Sequence, residues 1–293
     1  MQLLDGKVLA KAIKAELKEQ VAGYLAQGRR KPHLCAILVG EDGASKTYVA
    51  SKARDCDELG MDSSVLHFPA DIRQEELLAE IEKVNNNPAI DGLIVQMPVP
   101  KHIDSLLVMN TIDPSKDVDG FHPVNVGKMF KGLPTYLPAT PYGIMMMLER
   151  YQIETAGKHC VVIGRSDIVG KPMAALLMQN TYPGNCTVTI CHSRTADLAE
   201  HCRRADIVIA ALGKPGFVKA DMVKEGAVVI DVGITRVDAD NERGYVIKGD
   251  VEFDEVAPKS SFITPVPGGV GLMTRIGLLQ NTLNAYKVHE GIQ

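Results

Sequence analysis

The amino-acid sequence predicts an α/β protein of two domains, each organised on a parallel sheet. Three features carry that expectation. At 293 residues the chain has room for two domains of ordinary size, and 45% hydrophobic residues suffice for a sizeable core. Apolar runs of strand length alternate with helix-patterned segments in two separate series, as parallel strands joined by helical crossovers do. Between the series, residues 104–141 break the rhythm with "DPSKDVDGFHPVN" and "GLPTYLPATPYG", rich in Pro, Gly and Asp, and read as a domain connection.

The first series opens with "KVLAKAIKAELKEQVAGYLAQ", where Val8, Ile13, Leu17, Val21, Tyr24 and Leu25 recur at helical spacing and Gly28 ends the helix. "LCAILVG" is an apolar run of strand length, followed by a polar turn and a helix from Ala44 to Leu59 that stops at Gly60. The order repeats: "SSVLHFP" as a strand, "QEELLAEIEKVNN" as a helix with Leu77, Leu78 and Ile81 on one face, and "IDGLIVQMPVP" as a strand cut short by prolines. After the interruption come the apolar helix "YGIMMMLERY" and the second series. It comprises "HCVVIG", a glycine loop and helix reaching Asn180, "CTVTICHS", a helix over 196–204, "ADIVIAALG", a helix over 220–224, and "AVVIDVG". "SFITPVPGG" supplies a last strand and "MTRIGLLQNTLNAYKVH" an apolar-faced closing helix.

Composition narrows the function classes. A formal net charge of −4 offers no basic field for a phosphate backbone, so no nucleic-acid partner is expected. Charges interrupt every apolar stretch well short of the roughly 20 residues of a membrane span, and the first residues show no cleavable leader. A cytoplasmic protein without a membrane partner is expected. The six cysteines include no C-x-x-C pair and the eight histidines no H-E-x-x-H cluster, which predicts reduced thiols and no metal site.

The loop "GRSDIVGKP" follows an apolar strand ending at Ile163 and opens a helix whose first turn accepts Pro172. It departs from both common phosphate-loop patterns. Five residues separate Gly164 from Gly170, with Pro172 where a triphosphate loop carries its hydroxyl, and the G-x-G-x-x-G frame meets Gly164, Ser166 and Val169. Its placement is still that of a Rossmann unit, where helix-start N–H groups face a phosphate and Gly170 admits close approach. A purely structural turn is the alternative. Past the next strand, "TVTIC" runs into His192, Ser193, Arg194 and Thr195, with no acid where NAD-selective sites place one. Arg165 and Arg194, with serine hydroxyls, suit the adenosine phosphate of NADP; two solvated arginines are the plainer reading.

The first series carries its own constellation. Ser45, Tyr48 and Lys52 fall at i, i+3 and i+7 of one helix and share a face. Tyr-x-x-x-Lys evokes the short-chain dehydrogenases, but here the pair precedes the glycine loop by a whole domain; alone, it is an ordinary helix face. Gln96 ends the strand "GLIVQ", before the stiff "MPVP", and Asp119 lies in the turn "KDVDG", both where parallel-sheet sites lie. A calcium loop does not fit: with Gly120 at the sixth position, Ser115 is first and Val126 twelfth, so the bidentate carboxylate is missing. A turn-capping role for Asp119 stays open.

Together, "LVGEDGASKTYVASKARDCDELGM", "DGLIVQMPVP", "DPSKDVDGFHPVNVG", "GRSDIVGKP", "VVIDVGI" and "TPVPGGVG" closely resemble the bifunctional methylenetetrahydrofolate dehydrogenase/cyclohydrolase family, over essentially the whole chain. The resemblance implies an N-terminal folate-binding and catalytic domain (1–121 with 274–293) and a Rossmann-like NADP-binding domain (122–273). It also implies an active-site cleft between them and a homodimer built through the cofactor domain. Carried over by motif, Lys52 is the catalytic lysine, Gln96 orients it, Tyr48 stacks on the folate and Asp119 binds the pterin. These four form the catalytic set, and Ser45, Pro267, Gly268 and Gly269 complete the substrate site. Gly164, Arg165, Ser166, Val169, Gly170, Ser193, Arg194, Gly213 and Ile234 would hold NADP. A carboxylate can accept two hydrogen bonds from the pterin, and an aromatic ring offers a stacking face.

The implied reaction has two steps. NADP+ takes a hydride from the one-carbon bridge of 5,10-methylenetetrahydrofolate, and water then opens the 5,10-methenyl cation to 10-formyltetrahydrofolate. Positioning serves the first step, since the cofactor carries that chemistry; the second needs proton management, which a lysine in a closed cleft can supply. The family commonly has Pro at Gly43, Cys at Ala139 and Pro at Leu272; none of these departures removes a proposed chemical group. The rival readings are a monofunctional folate dehydrogenase with weak cyclohydrolase and a non-catalytic NADP- or folate-binding regulator, which would have no need of Lys52.

Overall fold

The computed structural model describes residues 1–241 and 244–292. In chain order the first elements are β1 (Gln2–Leu3), α1 (Gly6–Ala26), β2 (His33–Val39), α2 (Gly43–Leu59), β3 (Asp62–Phe68), α3 (Gln74–Asn85), β4 (Gly92–Val95), α4 (Ser105–Thr111), α5 (Pro123–Phe130) and α6 (Ala139–Arg150). There follow β5 (His159–Ile163), α7 (Gly170–Leu177), β6 (Thr187–Cys191), α8 (Leu198–Arg203), β7 (Ile207–Ala210), β8 (Val228–Asp231), β9 (Thr235–Asp238), β10 (Tyr245–Lys248), α9 (Phe253–Val256), β11 (Phe262–Ile263) and α10 (Val270–His289). The parallel α/β architecture expected from the sequence is present.

Contacts divide the chain into two compact units: Met1–Lys11 with Thr140–Thr274, and Ala12–Ala139 with the chain from Arg275 onward. The boundaries read from the sequence differ at Thr274 and over two longer segments. Residues 1–11 go with the later series because β1 pairs with β11, Gln2 opposite Phe262. Residues 122–139 stay with the earlier one because hydrogen bonds tie them there: the Asn125 amide donates to Asp117 (2.8 Å), and the Asn281 amide to the Leu137 carbonyl (2.7 Å).

One unit holds the three-stranded sheet β3-β2-β4, parallel throughout. The central strand β2 is apolar along its length because both of its faces are covered. Cys35, Ile37 and Val39 pack with Leu77, Ile81 and Val84 of α3 and with Val108 of α4. An isolated parallel bridge pairs Leu93 of β4 with Asp117, so the "KDVDG" turn sits beside that strand.

Helix α2 starts at Gly43, capped by Asp42, whose carboxylate accepts from the Ser45 N–H at 2.7 Å; Gly60 ends it in the left-handed conformation. A Cβ on Gly43 would meet nothing within 4 Å, and Asp42 is extended at φ −59°, ψ 122°. Proline suits that first helical position and that preceding residue. Gly43→Pro is therefore expected to stabilise the protein by about 0.4–1 kcal/mol, mainly by restricting the unfolded chain. The check is a melting curve, which should rise by about 1–4 °C; an unchanged or lower midpoint would show that glycine does not loosen this start.

The other unit holds six parallel strands in the order β1-β11-β8-β7-β5-β6. After β6 the chain returns to the far side of β5, which makes β5/β7 the switch point, where open parallel sheets place their ligands. Strands β5, β7 and β8 are almost wholly buried; Val161, Ile163, Val208, Ala210, Val229 and Ile263 share one core with Cys191 and Cys202.

The segment read as a domain connection contains α4 and α5. Asp104 caps α4 through the Leu106 and Leu107 N–H groups, and His122 caps α5 with Pro123 at its first position. The Asp, His and Pro that suggested irregular chain are helix-start chemistry. Helix α7 ends at Leu177, short of Asn180, and the helix expected at 220–224 is a single 3₁₀ turn, Ala220–Met222. The antiparallel β9–β10 pair and the one-turn α9 carried no pattern that distinguished them from loop. All six cysteines are buried and unpaired, and no helix among the described residues is long and apolar enough to cross a membrane.

Candidate active site

In the three-stranded unit, α2 presents Ser45, Tyr48 and Lys52 along one face. Ser45 is buried, Tyr48 is 41% exposed and Lys52 is partly covered. The Lys52 ammonium donates to the Gln96 Oε1 at 3.3 Å, while the Gln96 amide nitrogen donates to the Met97 carbonyl at 2.9 Å. That second bond fixes which end of the amide faces the lysine. Gln96 in turn is anchored by its own N–H on the Ile37 carbonyl, 2.8 Å. The helix carrying Lys52 is pinned three residues further on by buried Asp55, which pairs with Lys14 of α1 (2.6 Å) and Arg275 of α10 (2.9 Å).

Asp119 is half-buried in the turn beside β4. Burial pushes its carboxyl above the ordinary aspartate value, and the positive charge of Lys52 pulls the other way, so the two belong to one electrostatic site. The backbone around Asp119 is held from both sides. The Asn281 amide of α10 donates to the Val118 carbonyl at 2.8 Å as well as to Leu137. Asp117 accepts from the Phe121 and His122 N–H groups and from Asn125, and its burial raises its pKa to about 6. Gly120, at φ 73°, has no room for a side chain, since a Cβ would come within 2.6 Å of the Pro138 nitrogen. Asp117, Asn125, Asn281, Asp55 and Arg275 were not singled out from the sequence. Only Asp117 and Asn125 had a local sign, a polar pair flanking the "DGFHP" turn.

In the six-stranded unit, every residue expected at the cofactor lies at the carboxyl ends of β5, β6, β7 and β8, or in the loops that follow. Gly164 has φ 124°, and a methyl there would overlap the Ala211 carbonyl; one on Gly170 would overlap the Gly164 carbonyl. Both glycines are therefore dictated by close packing at the mouth of the sheet. The Ser166 hydroxyl accepts from the Val169 and Gly170 N–H groups at 3.2 and 3.4 Å, gathering the start of α7. Gly164 N–H donates to the Cys191 carbonyl at 2.8 Å, which places the Arg165 loop next to the turn after β6. In that turn His192 N–H donates to the Thr195 hydroxyl (2.8 Å) and Arg194 N–H to the His192 imidazole (3.1 Å), leaving Ser193 and Arg194 exposed at its tip. Arg165 is also exposed, and neither guanidinium has an ionic partner among the described residues. No acid stands at the end of β6. Gly213 follows β7 at φ 69°, and exposed Ile234 follows β8, near enough to Gly271 that a Cβ there would come within 2.8 Å. Pro267, Gly268 and Gly269 lie just before α10; Gly268 has φ 109°, and a Cβ on Gly269 would meet Thr264 at 3.0 Å. The glycine mouth, the exposed arginines and the missing acid fit a dinucleotide with an extra phosphate.

Comparison with known proteins finds two family domains in order along the chain. Residues 4–119 match the model of the tetrahydrofolate dehydrogenase/cyclohydrolase catalytic domain, and residues 138–290 that of the family's NAD(P)-binding domain. A bifunctional protein FolD from Phocaeicola vulgatus is 60% identical over 98% of each chain. The bifunctional FolD methylenetetrahydrofolate dehydrogenase/cyclohydrolase from Campylobacter jejuni superposes with a TM-score of 0.93 at 48% identity, covering 98% of this chain and 99% of that one. The Trypanosoma brucei methylenetetrahydrofolate dehydrogenase-cyclohydrolase, solved with NADP cofactor and an inhibitor, gives 0.91 at 40% identity over 97% and 96%. With both family domains matched in order and relatives alike along their full length, the chain belongs to the tetrahydrofolate dehydrogenase/cyclohydrolase family.

Proposed function

We propose that the protein oxidises 5,10-methylenetetrahydrofolate to the 5,10-methenyl cation with NADP+ and then hydrolyses that cation to 10-formyltetrahydrofolate. The observation that carries this reading is the Lys52–Gln96 hydrogen bond beside Asp119, on a chain of this family. NADP+, when bound, accepts the hydride. The protein contributes position: Asp119 takes the pterin amide and amino groups, and Tyr48 offers its exposed ring to the folate. Ser45, Pro267, Gly268 and Gly269 complete the substrate contacts. In the second step Lys52 removes a proton from the attacking water, with Gln96 holding its nitrogen in register.

The cofactor reading assigns the dinucleotide to Gly164, Ser166, Val169, Gly170, Gly213 and Ile234, and its adenosine phosphate to Arg165, Ser193 and Arg194. On this reading residues 12–139 with the chain from Arg275 onward carry the catalytic groups, residues 140–274 hold NADP and add Pro267, Gly268 and Gly269 to the substrate site, and the protein works in the cytoplasm. A homodimer through the cofactor domain is supported by the edge position of β6, whose Ile190 is 39% exposed and whose outer hydrogen-bonding groups can pair with a second copy.

Absorbance assays of each step separately test the function. Methylenetetrahydrofolate with NADP+ should yield methenyltetrahydrofolate, and methenyltetrahydrofolate alone should be hydrolysed faster than in buffer; failure of the second would leave a monofunctional dehydrogenase, and failure of both a binder. Asp119→Ala in the same assays should depress both activities, because each needs the pterin in one pose. Unchanged folate affinity and turnover would remove Asp119 from the site.

A further inference from the structure

Two carboxylates buried behind the cofactor loops have no part in the chemistry above. Asp250 is 0% and Asp231 3% exposed. Asp250 Oδ2 accepts from the Leu212 N–H at 2.7 Å and the Gly213 N–H at 2.9 Å, at the turn that ends β7. Its own N–H donates to Asp231 Oδ1 at 2.8 Å. Asp231, the last residue of β8, also accepts from Gly233 (2.9 Å) and Val251 (2.9 Å), and its N–H donates to the Thr264 hydroxyl at 2.7 Å. Five backbone N–H groups from three chain segments thus converge on two side chains. Glycine is enforced around them: a Cβ on Gly233 would fall 2.5 Å from Asp250 Oδ1, and one on Gly249 would overlap Asp231.

This arrangement is expensive for the fold. Asp250 Oδ1 has no hydrogen-bond partner among the described residues, and burial pushes Asp231 up to about 6 with the charge of Asp250 adding to it. Neutral side chains would close these turns at lower cost. What the carboxylates give in return is a fixed relation between the turn bearing Gly213, the turn bearing Ile234 and the segment after β10.

We propose that Asp250 is a positioning residue of the dinucleotide site, which, braced by Asp231, holds the backbone of Leu212 and Gly213 where the cofactor meets the ends of β7 and β8. The proposal rests on the assignment of Gly213 and Ile234 to the cofactor. It concerns binding of the dinucleotide, and none of the bonds that Asp250 accepts involves Lys52 or Gln96.

The test is Asp250→Ala and Asp250→Asn, each assayed for the KM of NADP+ in hydride transfer and for hydrolysis of methenyltetrahydrofolate without dinucleotide. Losing a charged acceptor for two N–H groups should raise the KM for NADP+ about tenfold or more in D250A. Hydrolysis should stay within a factor of about two, because the bonds lost hold the turn after β7 and none of them involves Lys52, Gln96 or Asp119. In D250N the carboxamide oxygen still accepts both bonds, so the KM should return most of the way to wild type. If D250A does not fold, D250S, whose hydroxyl falls short of both nitrogens, is read in its place. The proposal is overturned if the KM is unchanged, if both activities fall by one factor, or if D250N is as impaired as D250A. A wild-type enzyme that NADP+ does not saturate would instead overturn the cofactor assignment itself.

Discussion

Lys52→Met is expected to separate the two activities of this protein. Methionine keeps much of the length of the lysine stem and removes the ammonium that donates to Gln96. Hydride transfer is carried by the cofactor and asks the protein for alignment, so part of it should survive. Hydrolysis needs a group to take the proton of water, and a positioned general base typically contributes about 100- to 10,000-fold. Cyclohydrolase turnover should therefore fall by that much beyond any loss in the dehydrogenase, and methenyltetrahydrofolate should accumulate when the steps are coupled. Rapid-scan absorbance of the coupled reaction reads this directly. Equal losses in both steps would make Lys52 a positioning residue and remove it as the base.

The second large effect is expected at the cofactor. Arg165 and Arg194 stand exposed on adjacent turns, and the end of β6 carries no acid to bind a free ribose hydroxyl. Charge-assisted hydrogen bonds contribute about 1.5–3 kcal/mol each. Replacing both arginines with alanine should thus raise the KM for NADP+ by about a hundredfold or more, and that for NAD+ far less. Initial rates with the two dinucleotides, in wild type and double variant, give the comparison. A wild type that uses NAD+ equally well, or a variant that loses both in parallel, would end the phosphate-pocket reading.

The parts of the site that follow a local rule were legible in the sequence. A helix face at i, i+3 and i+7 brought Ser45, Tyr48 and Lys52 together, and a strand ending at Gln96 put that amide at the mouth of a sheet. The glycine loop was legible by placement, and its departure from the usual spacing is explained by packing: Gly164 and Gly170 are crowded by carbonyls at the strand end, while Ser166 gathers the helix start. The supports of these residues were not legible, because each is a pairing across long stretches of chain. Nothing near Asn281 hints that its amide holds the carbonyl of Val118, 163 residues away. The same is true of Asp55 with Arg275 and of Asp250 with Leu212. Helices α4 and α5 were missed for another reason. Their caps are built from Asp, His and Pro, residues that equally mark turns, and seven or eight residues hold too few apolar positions for periodicity to decide.

The Asn281 bond also bears on how the enzyme comes into being. The turn that presents Asp119 is complete in sequence by residue 125, yet one of its braces comes from α10. On a ribosome, Ala12–Ala139 emerges before Thr140–Thr274, which completes the six-stranded unit that Met1–Lys11 begins, and only afterwards come Arg275 and Asn281. Domains generally fold as units while the chain is being made, but this one cannot finish in the order of its synthesis. The turn that carries Asp119 is held open to adjustment until the last helix docks. A nascent or prematurely ended chain would therefore carry Tyr48, Lys52, Gln96 and Asp119 and still lack the braces that Asn281 and Arg275 supply.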